Sequence, residues 1–140
     1  MTTFSPSRQM LAPPAAVFAA IREGDPLATW WGPAGFSNRF EAFEFRPAGR
    51  WAFTMVGPDG HEYPNESAFS EIEVDRRVLI DHVCAPFFRL TITLEPTAEG
   101  TLVRWDQAFA DAAVAQSIRH IVEPSNEQNL DRLAAVLQKY

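Results

Sequence analysis

Between Phe36 and Phe109 the chain is punctuated at short intervals by turn-forming residues, and that spacing excludes most folds. The breaks are Pro47-Ala48-Gly49, Gly57-Pro58-Asp59-Gly60, Asp75-Arg76-Arg77, Ala85-Pro86 and Glu99-Gly100. Evenly spaced turns between runs that alternate apolar and polar residues predict an antiparallel meander. Side chains alternate faces along a strand, so parity sorts each run into two sets. One set holds Phe43 and Phe45; Trp51, Phe53 and Met55; Val78, Ile80, His82 and Cys84; Leu90, Ile92 and Leu94; and Val103, Trp105, Gln107 and Phe109. The other carries Glu44, Arg46, Arg89, Thr91, Thr93, Arg104 and Asp106. The sheet therefore has an apolar, aromatic face and a solvated one.

Helical signals flank the meander. After a first strand around Phe4 to Leu11, Pro13 and Pro14 suit a helix start, and Val17, Phe18 and Ile21 recur at helical spacing. Gly24 is expected to end that helix. Asp25-Pro26 then reads as an N-cap and first helical position, opening a short turn that Gly32-Pro33 stops just after Trp30 and Trp31. At the other end, Val114, Ile118, Ile121 and Val122 lead to Leu130, Leu133, Val136 and Leu137. Pro124 either kinks one long helix or begins a second. Ser125 with Gln128 matches a capping box and favours a fresh start, with the strongest helix from Asn126 to Lys139.

Composition narrows the function. The 140 residues suit a single domain spanning 1–140, and eleven Phe with four Trp must fill a core or line a pocket. A formal charge of -6 opposes a grip on phosphate backbones, so nucleic acid is not an expected partner. No apolar run approaches the ~20 residues of a membrane-spanning helix, and MTTFSPSRQM lacks a signal-peptide profile, so membrane insertion is not expected and a cytoplasmic location is. Cys84 is a single cysteine, which rules out an internal disulfide and a multi-cysteine zinc site. HExxH, GxSxG, P-loop and dinucleotide fingerprints are absent from the sequence, and no cofactor is expected.

The order of elements resembles the helix-grip fold of the START-like SRPBCC superfamily over nearly the whole chain. It is most similar to the bacterial branch related to the activator of a heat-shock-protein ATPase. The segments that carry the resemblance are Ala12-Pro13 through Val17-Phe18, Trp30-Trp31-Gly32-Pro33, Glu44-Phe45-Arg46-Pro47-Ala48-Gly49-Arg50-Trp51, Glu71-Ile72 with Arg77-Val78, Thr101-Leu102-Val103, and Asn126 through Leu133. Ala48 and Ser67 depart from it, standing where glycine is common. The resemblance implies an α+β architecture, in which a curved antiparallel sheet of about seven strands wraps a long C-terminal helix, with two short helices after the first strand. It also implies a largely apolar cavity between sheet and helix.

The residues expected to meet a ligand there are Trp30, Trp31, Phe43, Phe53, Met55, Phe69, His82, Ile92, Trp105, Gln107 and Leu133. One Trp of the pair should pack inward and the other should sit closer to the cavity mouth. His82 shares the inward face and suits hydrogen bonding to a ligand or proton transfer; the plainer alternative, commoner in proteins, is a ring satisfied by neighbouring groups. His82 and Cys84 share a face, but the sequence offers them no third metal ligand, and no metal site is expected. Gln107 either orients a ligand or pairs near the sheet edge. Glu41 shares parity with Phe43 yet lies near a strand end, where solvation is commoner. Tyr63 and Asn65 alternate with Phe69 and are candidates to reach the same space. His61 and His120 read as exposed. The first expectation is a binder of a small apolar or amphipathic molecule. The resemblance also implies two alternatives: an acid-base enzyme like the polyketide cyclases and dehydratases, and a chaperone-binding domain. Pairing with a second copy of the chain is a further implication, since superfamily members associate through sheet or helix surfaces.

Overall fold

The computed structural model describes residues 2–138. The elements follow in the order β1 (Thr2–Phe4), β2 (Ser7–Met10), α1 (Pro14–Arg22), α2 (Gly24–Trp30), β3 (Ser37–Phe43), β4 (Arg50–Val56), β5 (Glu62–Glu73), β6 (Arg77–His82), β7 (Phe88–Thr97), β8 (Gly100–Phe109) and α3 (Ala112–Leu137). All the strands belong to one antiparallel sheet in the order β1-β8-β7-β6-β5-β4-β3, with β2 also paired to β8. From β3 to β8 each strand pairs with the next, which is the meander implied by the turns. The fold is α+β and helix-grip, with two short helices between the first strands and the meander and one long helix at the end.

Four local expectations are corrected. The first strand is two, because Pro6 has no N–H to donate and interrupts the ladder; its carbonyl still accepts from the Trp105 amide at 3.0 Å, so β8 runs on past the gap. Gly24 begins α2 instead of ending α1, and the α2 N-cap is Glu23, not Asp25. The C-terminal helix is continuous through Pro124, starting from Asp111, whose carboxylate accepts from the Ala113 and Val114 amides. The capping box at Ser125 does not form. Gln128 spends its side-chain oxygen elsewhere, on the Ala34 amide at 3.1 Å.

The inward parity set forms the core. Trp30, Trp51, Phe69, Val78, Ile92, Val103 and Leu133 are fully buried, with Phe43 and Phe45 half-buried against them. A smaller cluster of Phe4, Phe109 and Ala115 gathers under the first half of α3, and Phe88 packs against both clusters. The outer face carries Arg39–Glu62, Arg50–Glu66, Arg89–Asp81 and Arg104–Glu95 pairs. At such exposure each pair contributes little stability but keeps the face polar. A bulge between Phe40 and Ala42 shifts the β3 register, and Glu41 is exposed beside Arg39. Among the described residues no helix is long and apolar enough to cross a membrane.

Candidate functional site

The sheet and α3 do not close on one another everywhere. A cavity of about 240 Å³ remains under the sheet, on the side of α3 where Ser125, Asn126 and Asn129 face it. Its wall follows directly from strand periodicity, since five neighbouring strands each contribute two residues spaced by two. Phe53 and Met55 come from β4, Asn65 and Ser67 from β5, Ile80 and His82 from β6, Phe88 and Leu90 from β7, and Trp105 and Gln107 from β8. Pro86 and the loop Trp31-Gly32-Pro33 complete it.

That loop is held from α3. The Asn129 amide donates to the Trp30 carbonyl at 2.9 Å and its oxygen accepts from the Gly32 amide at 3.1 Å. The Arg132 guanidinium donates to the carbonyls of Thr29, Trp31, Gly32, Pro33 and Phe36 at 2.7–3.1 Å. Burial lowers the Arg132 pKa, yet a guanidinium stays charged, and it serves here as a C-cap for α2 and the turn after it. Glycine suits position 32 because its φ is +94, in the left-handed region where a Cβ is strained; a Cβ there would also press on the tip of the Met55 side chain on the cavity wall.

His82 is 7% exposed and stacks on Phe88 with centroids 4.5 Å apart. Its Nδ1 lies 2.8 Å from the Pro86 carbonyl oxygen, and its Nε2 lies 2.7 Å from Asn65 Oδ1 and 3.4 Å from Cys84 Sγ. Two forces compete over its proton. Burial disfavours the imidazolium, whereas the surrounding oxygens favour it; burial prevails and the pKa falls below the ordinary 6.5. None of the lining side chains is Asp, Glu, Lys or Arg. Among the described residues no three metal-ligating groups converge, and Cys84 touches His82 without lining the cavity.

Of the residues expected to meet a ligand, Trp31, Phe53, Met55, His82, Trp105 and Gln107 line the cavity. Trp30, Phe43, Phe69, Ile92 and Leu133 do not. Phe43, Phe69 and Ile92 share the inward parity and Trp30 and Leu133 come from α2 and α3, but all five pack into the main core cluster with α1, α2 and the last turns of α3. Trp30 is fully buried, its indole N–H donating to the Ala20 carbonyl at 3.0 Å, while Trp31 is half-buried at the cavity. Tyr63 is 44% exposed and lies outside the cavity, although Asn65 reaches it. Sequence reasoning missed Ser67 and the α3 groups Ser125, Asn126 and Asn129. Ser67 was legible as the parity partner of Asn65 and Phe69; the α3 polar groups were hidden, because their spacing reads as a solvated helix face. A separate, shallower groove of about 450 Å³ is lined by Phe87, Val114 and Ile118.

Three solved structures show how far the architecture extends. The chain is 25% identical to a protein from Arthrobacter aurescens, with a TM-score of 0.90 over 99% of this chain and 87% of that one. It is 20% identical to a protein from Nitrosomonas europaea, with a TM-score of 0.88 over 98% and 94%. It is 22% identical to the AHSA1 protein from Silicibacter pomeroyi, with a TM-score of 0.82 over 98% of both chains. No curated protein matches the sequence. The profile of one family, described as Activator of Hsp90 ATPase homolog 1-like protein, matches residues 11–138, so nearly the whole chain carries its pattern and the protein belongs to that family.

Proposed function

We propose that the protein binds a small hydrophobic or amphipathic molecule in the cavity between the sheet and α3. The observation that carries this reading is the composition of the wall: aromatic and aliphatic side chains from five strands, with a few uncharged polar groups among them. Such a lining removes apolar surface from water and uses its polar groups to orient the guest. Acid-base catalysis is less well supported. It calls for convergent ionisable groups, and among the described residues His82 is the one titratable side chain on this wall. A chaperone-binding role would use the outer surface and does not require the cavity.

The test is direct. Protein released by gentle lysis is examined by native mass spectrometry for a retained small molecule, and a set of apolar and amphipathic compounds is screened by thermal shift. A ligand at a hundred times its Kd should stabilise the fold by about 2.7 kcal/mol. The Ile80→Phe variant, which places a ring in the space, should abolish the shift. If nothing is retained and no compound shifts the parent more than the filled variant, the binding reading fails.

A further inference from the structure

Ser67 is 3% exposed on β5, directly across from His82 on β6. Its hydroxyl lines the cavity and takes no hydrogen-bond partner among the described residues. That hydroxyl is not sealed off from water, so it is open to a partner inside the cavity. A second pair of polar groups open to the cavity lies on the β8 and α3 side. Asn126 donates through Nδ2 to Gln107 Oε1 at 3.0 Å, which leaves the Gln107 amide N–H groups and the Asn126 oxygen unspent among the described residues. The wall thus offers both donors and acceptors but no Asp, Glu, Lys or Arg, so a charged guest would be buried there without a carboxylate, ammonium or guanidinium to pair with. The remaining surface is flat and aromatic, contributed by Trp31, Phe53, Phe88 and Trp105.

Resting on the cavity reading above, we propose that the guest is an uncharged planar molecule of one or two fused rings bearing a hydroxyl, and that Ser67 recognises this hydroxyl. A hydroxyl both donates and accepts, which matches a wall offering both, and a ring system of that size suits a space of about 240 Å³.

Three probes of one shape separate the ideas: 2-naphthol, naphthalene and 2-naphthoate, titrated near neutral pH and followed through the indole N–H resonances of Trp31 and Trp105. The naphthol should bind at least about tenfold more tightly than either of the others, because a site that hydrogen-bonds a hydroxyl rejects analogues lacking one. Ser67→Ala, and independently Ser67→Gly, should erase the preference of naphthol over naphthalene while leaving naphthalene affinity intact. Equal or tighter binding of naphthalene or naphthoate by the parent would overturn the inferred ligand class. A preference that survives both Ser67 variants would overturn the role of Ser67. If none of the three binds while a retained or screened molecule does, the class is wrong and the cavity reading stands; if nothing binds at all, both fall.

Discussion

Arg132 holds the backbone of Trp31: its Nη1 donates to the Trp31 carbonyl oxygen at 3.1 Å while the same guanidinium spans four further carbonyls of the segment 29–36. A residue in the C-terminal part of a long helix has thereby become the anchor of a loop about a hundred positions away, and that loop forms one side of the cavity.

The first prediction concerns this clamp. Arg132→Met keeps the aliphatic stem but leaves the carbonyls of Trp31, Gly32 and Pro33 to water. It should cost about 2–3 kcal/mol by urea denaturation. Arg132→Lys should recover less than half of that, because one ammonium cannot span the same fork. A lysine variant as stable as the parent would show that charge alone, not geometry, holds the loop.

The two tryptophans should separate in stability. Trp30 is sealed in the core and hydrogen-bonded to Ala20, so Trp30→Ala should cost about 3–5 kcal/mol. Trp31 borders an existing void and is half-buried, so Trp31→Ala should cost about half as much. Thermal melts of the two variants check the order; equal losses would mean that Trp31 is packed as tightly as Trp30.

His82 predicts a pH dependence. Its folded pKa lies below the ordinary 6.5, so between those two values the unfolded chain binds more protons than the folded one. Stability must then rise with pH through that window and fall on acidification through it. Denaturation midpoints measured from about pH 7.5 down to about pH 5.5 should show this decline, and His82→Gln should flatten it. A decline of equal slope in the variant would place the titrating group elsewhere.

Ala48 sits at φ 65 in the tight turn between β3 and β4, in the left-handed region that disfavours a Cβ. Ala48→Gly relieves that strain at some cost in unfolded-state entropy, for a net gain of about 0.5–1 kcal/mol. Its neighbour Gly49 has no such freedom, since a Cβ there would fall 1.9 Å from the Glu44 carbonyl oxygen. Calorimetry of Ala48→Gly and Gly49→Ala should therefore give opposite signs.

The meander, the inward and outward sets of each strand, α1 and the existence of a long terminal helix were all legible in the sequence, because they rest on spacing within short stretches. Parity alone placed Phe53, Met55, His82, Trp105 and Gln107 on one face. Periodicity says which way a side chain points and nothing of what lies opposite, so it could not separate Phe53, beside the void, from Phe69, in the filled core. The same limit hid Gln128 and Arg132, which read as an exposed helix surface until the loop between α2 and β3 is laid against them.

What the sequence by itself determined is the covering of each local surface: apolar toward α3, charged toward water, with glycine and proline setting where strands turn. Where the sheet and helix part company, and hence which six expected residues border that space and which five pack elsewhere in the core, was decided by tertiary structure. The reason is that a cavity is a mismatch of volumes between elements distant in the chain, and no property of a single strand or helix records the shape of the surface it will meet.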